Sequence, residues 1–281
     1  MNLETLTHTA CLMECSAPKP GNVTPQHSFE DLTHADFVRS SSITAKWISR
    51  VAAVGVGAVI EQAADEIMDT VAQNTQLGIL LLLAPLAAAH DRHDIERVLS
   101  SLTIHDAKCV YRAISRMEPG GLGEANEQDV GNVPTATLLE CMRLAADRDT
   151  IAAQYANGFA DVLRFADKLN RSTFDSDWRN AVVQLQIDIL SEIPDTLIAR
   201  KCGVKTANEA TSRACVVRDS DYKPRSLDDL DEWLRADGHR RNPGTTADLV
   251  AAILFVGLRD GRIVTPARVV EPAVKPGDPG R

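Results

Sequence analysis

Aromatic residues, excess basic charge and long apolar segments are all scarce in this chain of 281 residues. Phe, Trp and Tyr together make up 4% of the sequence, although 44% of it is hydrophobic. A core built mainly from Ala, Leu, Val and Ile favours closely packed helices over a β-sandwich or barrel, whose strands are rich in aromatic side chains. The formal net charge of −9 argues against a nucleic-acid binder, because phosphate neutralisation needs a basic face.

Signals for a membrane, for secretion and for disulfides are missing as well. The longest apolar run, residues 77–89, is shorter than the ~20 residues that span a bilayer. The N-terminal residues lack the basic and apolar regions of a signal peptide. The six cysteines include no C-x-x-C pair and no compact spacing, so we expect them to be reduced. These absences predict a cytoplasmic protein that contacts no membrane.

Helical periodicity runs along nearly the whole sequence, and no convincing alternating strand is present. We therefore predict an all-α fold, with a single compact multi-helix domain over residues 1–262. Residues 263–281 are rich in proline and have few apolar partners, which predicts a disordered tail. Gly55 and Gly57 lack the third glycine of a dinucleotide-binding fingerprint, so we interpret them as close helix packing. The predicted helices span residues 3–16, 33–43, 51–71, 76–89, 93–101, 104–117, 134–145, 147–168, 176–192, 195–201, 204–217, 227–234 and 247–258.

Three proline–glycine turns interrupt the helices, at residues 17–22, 118–124 and 240–248. A chain reversal needs only Gly, Pro or Asn, so the charged and amide groups around these turns are available for chemistry. In the first turn, Lys19 lies between two prolines that restrict its backbone, which is a way to direct an ammonium at a phosphate. A lysine that is merely solvated is the alternative.

The second and third turns carry groups suited to a metal and to an anion. Glycines in the second turn allow a ligand to approach closely, and Glu124, Glu127 and Asp129 offer oxygens suited to Mg²⁺, unless they form a solvated acidic loop. In the third turn, Arg240 and Arg241 precede an apolar helix, and the N-terminus of a helix favours a phosphate.

Thr245 and Asp248 have the spacing of a helix-capping pair, which any helix can use. Capping would explain these two residues without a ligand, but it does not explain Asn242 and the two arginines before it. The third turn therefore keeps two interpretations, a helix cap and a phosphate site.

Four segments, taken in order, resemble the triphosphoribosyl-dephospho-CoA synthase family over about residues 10–260. They read ECSAPKPGNV at residues 14–23, NTQLG at 74–78, PGGLGE at 119–124 and NPGTTADL at 242–249. Well-known members have His-Lys-Gly where this chain has Gln-Leu-Gly, so it is similar to a divergent branch. The resemblance implies an all-helical transferase that moves the triphosphoribosyl group of ATP to dephospho-CoA, or to a related cofactor-type acceptor, and releases adenine.

The resemblance also implies three kinds of site residue. Glu14 or Asp248 is predicted to be the catalytic carboxylate, which stabilises positive charge at the anomeric carbon or deprotonates the incoming hydroxyl. Mg²⁺ is predicted to be held by some of Asp31, Glu124 and Asp129. The group that protonates adenine is not identified. Phosphate and nucleotide contacts are predicted for Lys19, Gly21, Asn74, Thr75, Gly120, Gly121, Arg241, Asn242, Gly244 and Thr245.

Two other functions stay open at this point. One is a helical metal-dependent phosphohydrolase, and the other is a non-catalytic helical scaffold whose turns only end helices. The expected partners are small-molecule nucleotide substrates, without nucleic acid or membrane, and a homodimer is a possible assembly. A site would require that Lys19, Asn74, Glu124 and Asp248 converge in one pocket.

Overall fold

A computed structural model of the protein describes residues 1–121, 127–266 and 269. Within these ranges the chain forms fifteen α-helices and one 3-10 helix, without a strand, so the predicted single all-α domain is confirmed. The predicted tail lies mostly outside these ranges. The helices are α1 Leu3–Ser16, α2 His34–Ile48, α3 Val51–Val54, α4 Val56–Thr70, α5 Leu77–Ala88, α6 Ile95–Ser101, α7 Ile104–Met117, α8 Leu138–Ala145, α9 Thr150–Ala156, α10 Ala160–Lys168, α11 Arg171–Glu192, α12 Thr196–Cys202, α13 Val204–Asp219, α14 Pro224–Arg235 and α15 Gly244–Arg259.

The central helix of the main core is α5, which is apolar on every side. Leu80, Leu82 and Leu83 are fully buried, and α5 contacts α2, α4, α9 and α15. A helix without a polar face needs neighbours all around it, as the sequence predicted for this run. No helix in the described part of the chain is long and apolar enough to cross a membrane.

The second buried helix, α15, packs on α1, α5 and α10. The first proline–glycine turn follows the end of α1, and the third turn precedes the start of α15. Packing of α1 on α15 therefore brings together two turns that are more than 200 residues apart in the sequence, as the 220-residue separation of Asn22 and Asn242 shows.

Two of the predicted helices are interrupted where the backbone enters the left-handed region. The predicted helix at 51–71 breaks at Gly55, whose φ is +97°, and the one at 147–168 breaks at Gly158 and Phe159, with φ of +70° and +62°. A residue with left-handed backbone angles ends a helix, but it does not clearly change the spacing of the apolar residues around it. Periodicity alone therefore does not reveal such a break. At Gly57 the predicted close packing is confirmed, because a Cβ there would lie 2.5 Å from Asp106 Cα.

A smaller apolar cluster, separate from the main core, joins α12, α13 and α14 to one side of α11. Its buried members include Ile187 and Leu190 from α11, Ile198 from α12, and Leu230 and Leu234 from α14. This layer holds α12 and the third turn against the rest of the molecule, and both of them contribute to the cavity described next.

Candidate active site

A cavity of about 540 Å³ is lined by residues from all three proline–glycine turns, which is a volume typical of small-molecule sites. Of the four residues expected to converge, Asn74 and Asp248 line this cavity. Lys19 is buried behind the wall, on Glu14, and Glu124 lies outside the described residues. The structure therefore brings the turns together, although not every predicted side chain faces the same space.

A buried amide network fastens the first turn to the third. Asn22 Nδ2 donates to Asn242 Oδ1 at 2.6 Å, and Asn22 Oδ1 accepts from Gln186 Nε2 at 2.8 Å. Gln186 Nε2 also donates to the Pro20 carbonyl at 3.0 Å. Both asparagines line the cavity, whereas Gln186 on α11 holds Asn22 and the first turn from behind. Nothing local in the sequence marks Gln186, because its role depends entirely on residues far away in the chain.

The backbone amide of Gly21 is already used by the protein. Gly21 N donates to Asp231 Oδ1 at 2.7 Å, and Arg235, which pairs with Asp231, donates to the Asn22 carbonyl at 2.8 Å. Gly21 is not among the cavity residues. Its predicted contact with phosphate is thus not supported by its placement, since its N–H points to α14.

The carboxylate of Glu14 is held by a buried ion pair. Lys19 Nζ lies 2.8 Å from Glu14 Oε1 and also donates to the Glu14 carbonyl, and the two residues are 0% and 3% exposed. Glu14 lines the cavity, and its second oxygen, Oε2, is buried without a hydrogen-bond partner. An unpaired buried carboxylate would be very costly, so Lys19 is what allows an ionised Glu14 at this position.

Asp248 lies in the first turns of α15 and faces α5 across the cavity wall. A Cβ at Gly78 would lie 2.0 Å from Asp248 Oδ2, so only glycine leaves room for this carboxylate. Burial, together with repulsion from Glu14, Asp195 and Asp149, raises the pKa of Asp248 well above its usual range, against a smaller opposite effect of Arg200. Asp248 therefore keeps its proton to a higher pH than an exposed aspartate does.

The helix-cap interpretation of Thr245 and Asp248 is wrong, because the N-cap position of α15 is Pro243 and no side chain of the turn caps the helix. Asp195, at the start of α12, does so instead: its Oδ2 accepts from Thr246 N at 2.7 Å and from Thr246 Oγ1 at 2.8 Å. Its Oδ1 caps α12 itself. The Asp195 carboxylate thus occupies the N-terminal end of α15, where the sequence predicted a phosphate. A helix N-terminus attracts either anion, so the sequence alone does not distinguish a carboxylate of the protein from a bound phosphate.

The second turn lies against the C-terminal end of α12. A Cβ at Gly120 would be 2.7 Å from Lys201 Cε, and a Cβ at Gly121 would be 3.1 Å from the Arg200 backbone. Gly120 lines the cavity, whereas Gly121 does not. Gly121, whose φ is +73°, is therefore suited to the close approach to α12, whereas a side chain at Gly120 would displace only the flexible end of Lys201.

The cations of the cavity are not the predicted ones. Arg241 donates to the Trp233 carbonyl at 3.0 Å, with its guanidinium 4.6 Å from the centre of the Trp233 ring, and it is not a lining residue. Within the described part of the wall, the lysines and arginines are Arg148, Arg200 and Lys201. Arg241 thus packs on Trp233, and the basic groups in the described part of the wall come from other elements.

The remaining predicted residues line the cavity with modest local roles. Asn74 Oδ1 accepts from Leu77 N at 3.4 Å, and Thr75 Oγ1 donates to Ser40 Oγ at 2.7 Å, which orders the start of α5. Gly244 and Thr245 also lie in the wall. The Thr245 hydroxyl accepts from Thr196 at 3.3 Å.

Two of the three predicted magnesium ligands, Asp31 and Asp129, line the cavity, and Glu124 lies outside the described residues. Asp31 Oδ1 is 3.4 Å from His239 Nδ1, and Asp129 Oδ1 accepts from Gly131 N at 2.8 Å. Among the described residues, no three His, Cys, Asp or Glu side chains are grouped to hold a metal ion. The protein side of a magnesium site stays a prediction.

Comparisons with known proteins agree with the four sequence segments. The CitG family model, described as ATP:dephospho-CoA triphosphoribosyl transferase, matches residues 1–264. The crystal structure of a candidate triphosphoribosyl-dephospho-CoA synthase from Archaeoglobus fulgidus is similar to this chain, with a TM-score of 0.63 and 26% sequence identity. That similarity covers 80% of this chain and 99% of the other. No curated protein matches the sequence.

Proposed function

The chain belongs to the ATP:dephospho-CoA triphosphoribosyl transferase family, and we propose that Glu14 and Asp248 divide the proton transfers of this reaction between them. As a member of this family it is a transferase, and its function is triphosphoribosyl transfer to dephospho-CoA. Neither the phosphohydrolase nor the scaffold is favoured. This division of roles rests on one observation: Glu14 is paired with the buried Lys19, whereas Asp248 has no such pair among the described residues.

Glu14 is proposed as the general base. The reaction joins the anomeric carbon of the donor to a ribose hydroxyl of the acceptor, so that hydroxyl must lose its proton. Lys19 holds Glu14 Oε1, which leaves Oε2 without a protein partner and able to accept the proton. A negative carboxylate beside the anomeric carbon also stabilises the positive charge that develops there as the bond to adenine lengthens.

Asp248 is proposed as the general acid. As the bond between the anomeric carbon and adenine breaks, its electron pair goes to the base, which leaves most easily when it gains a proton. Burial and repulsion from Glu14 raise the pKa of Asp248, which favours the protonated form that a general acid needs. After the transfer, Glu14 carries one proton and Asp248 has lost one, and exchange with solvent restores both.

The donor, the metal and the setting of the enzyme complete the proposal. The family implies ATP as the donor. Mg²⁺ commonly binds through one or two carboxylates and substrate phosphates, so Asp31 and Asp129 would hold it, and it would neutralise phosphate charge. The cytoplasmic location and the homodimer stay predictions. Light scattering after gel filtration measures the molar mass and so tests the homodimer directly.

Product analysis tests the reaction itself. Purified protein with ATP, Mg²⁺ and dephospho-CoA should release free adenine and form triphosphoribosyl-dephospho-CoA, which chromatography and mass spectrometry detect. Release of ADP or AMP in place of adenine would contradict the transfer. Replacing dephospho-CoA with a related cofactor-type acceptor tests the alternative acceptor in the same assay.

Matched variants test the two carboxylates. Glu14→Gln and Asp248→Asn should each slow adenine release by about 10²–10⁴-fold, the range of general acid–base catalysis. Glu4→Gln and Asp69→Asn remove the charge of exposed carboxylates and should leave the rate unchanged. In the dependence of rate on pH, Asp248→Asn should lose the fall in rate at high pH that deprotonation of the proposed acid causes. Retention of that fall in Asp248→Asn would contradict the role of Asp248.

A further inference from the structure

The cavity has few positive groups for a substrate that carries a triphosphate. The carboxylates in the described part of its wall are Glu14, Asp31, Glu118, Glu127, Asp129, Asp149 and Asp248. Of the basic residues predicted to bind phosphate, Lys19 is committed to Glu14 and Arg241 to Trp233. A polyanion in such a site must be held by other cations, since repulsion would otherwise exclude it.

Lys201 lines the cavity, and its ammonium forms neither an ion pair nor a hydrogen bond with another residue in the described ranges. Burial lowers its pKa, and attraction to Asp31 and Asp195 offsets only part of that effect. A half-buried ammonium without a direct anionic contact loses hydration that is only partly compensated. An anionic ligand at this position would remove that cost.

Arg200, the neighbouring residue, adds a donor that is likewise unused. Its Nη1 pairs with Asp149 Oδ2, which fixes the orientation of the guanidinium. Its Nε is buried and has no hydrogen-bond partner. The planar donor set of arginine suits phosphate oxygens, so the free Nε supplies a directed contact beside the point charge of Lys201.

The second turn shapes the space around this pair. A Cβ at Gly120 would lie 2.7 Å from Lys201 Cε, so the turn is in contact with the lysine stem. The N–H group of Gly120, which lines the cavity, donates to no other residue among those described. A free backbone amide next to two cations is a further donor for a phosphate oxygen.

Arg200 also connects this pair with the proposed acid and base. Arg200, Asp248 and Glu14 line the same cavity, and the charges of Arg200 and Glu14 both act on the pKa of Asp248. In ATP the anomeric carbon and the triphosphate are attached to the same ribose. A triphosphate held by Arg200 therefore places the rest of the donor in the cavity that the two carboxylates line.

We propose that Arg200 and Lys201, at the C-terminal end of α12, bind the triphosphate of the donor nucleotide. This inference rests on the proposed function, since it assigns a subsite for the same donor. It replaces Lys19 and Arg241 in that role, and it makes α12 the element that selects a nucleoside triphosphate over a nucleoside.

Calorimetric titration with magnesium tripolyphosphate, and separately with ATP, tests the pair without requiring turnover. Lys201→Gln should weaken binding of both by about 10-fold or more, the effect of losing a charge-assisted contact. Lys205→Gln is the matched control, because Lys205 is exposed on the next helix, and it should bind as the wild type does. Wild-type affinity of Lys201→Gln for both ligands would overturn the proposal.

A second variant covers the case in which Lys201→Gln does not fold. Arg200→Lys keeps the positive charge and removes the Nε donor, so it should fold and bind tripolyphosphate more weakly than the wild type. Unchanged affinity in this variant would also overturn the proposal. If the wild type releases adenine but neither variant affects binding, the subsite is wrong and the reaction stands. If tripolyphosphate binding follows the variants but no adenine is released, the reaction is wrong and the subsite stands.

Discussion

Replacing Gly78 with alanine is a direct test of the position of the Asp248 carboxylate. A Cβ at this position would lie 2.0 Å from Asp248 Oδ2 and 2.4 Å from Asp248 Cγ. Because a Cβ atom essentially never lies within 3.0 Å of a heavy atom of a neighbouring residue, the Asp248 carboxylate has to move by at least about 1 Å. A displacement of about 1 Å at a reacting group can cost about 10²-fold in rate.

The same substitution should change stability much less. Alanine is about 0.5–1 kcal/mol better than glycine inside a helix such as α5. Pushing aside Asp248, and Ile151 Cδ1 at 2.8 Å, should cost about 1–3 kcal/mol. The free energy of unfolding of Gly78→Ala should therefore fall by about 0–2.5 kcal/mol relative to the wild type. A urea titration measures this difference.

The rate of adenine release at saturating ATP and dephospho-CoA is the assay for Gly78→Ala. The background variant Asp248→Ala supplies the control, because it removes the two closest atoms that the new methyl group would strike and leaves only Ile151 Cδ1 at 2.8 Å. In that background, Gly78→Ala should cause no further loss of rate, and its cost in stability should be smaller than in the wild-type background. A wild-type rate in the single variant, or losses that simply multiply in the double variant, would refute the reasoning.

Three further predictions concern the buried carboxylates. Lys19→Met leaves Glu14 without its partner and should lower the free energy of unfolding by about 3–5 kcal/mol, whereas Lys19→Met with Glu14→Gln should recover most of it in a urea titration. If the double variant were as unstable as Lys19→Met, the unpaired Glu14 carboxylate would not be the cause of the loss. Asp248→Asn should be more stable than the wild type at neutral pH. Because the pKa of Asp248 is higher in the folded than in the unfolded state, the wild type loses stability as the pH rises above the unfolded pKa of about 4. The difference in free energy of unfolding between Asp248→Asn and the wild type should therefore disappear at acidic pH. A difference that does not vary with pH would contradict this. Asp195→Ala removes the caps of α12 and α15 and should cost about 2–4 kcal/mol, and Asp195→Asn should cost less, as thermal unfolding measures.

The fold was predictable because its signals are local. The predicted helix at residues 104–117 coincides with α7, which begins with a Thr103 and Asp106 capping box and ends at a left-handed Glu118. The start of α8 was placed four residues early, since its capping box begins at Thr137. Periodicity identifies which residues are helical, and capping side chains decide where each helix begins.

The site was predictable only at the level of its turns. Asn22 and Asn242 lie in recognisable segments, and the structure joins them by a hydrogen bond. Asp195 and Gln186 hold these segments from behind, and each looks in the sequence like an ordinary polar residue on a helix or at its start. The different surroundings of two lysines could not be predicted for the same reason. Lys19 is buried against a carboxylate, whereas Lys201 lines the cavity without an ion pair to any described residue, and both placements depend on tertiary contacts.

The placement of the cations determines which carboxylate of the cavity can hold a proton. Lys19 faces Glu14 at 2.8 Å, so the ionised form of Glu14 is compensated even though it is almost fully buried. The other nearby cation, Arg200, is shared with Asp149 and offsets only part of the repulsion on Asp248. With several carboxylates in one low-dielectric space, the least compensated member takes the proton. Lys19, which does not line the cavity, is thus what distinguishes the two carboxylates in their proposed roles, and the prolines on either side of it restrict its backbone.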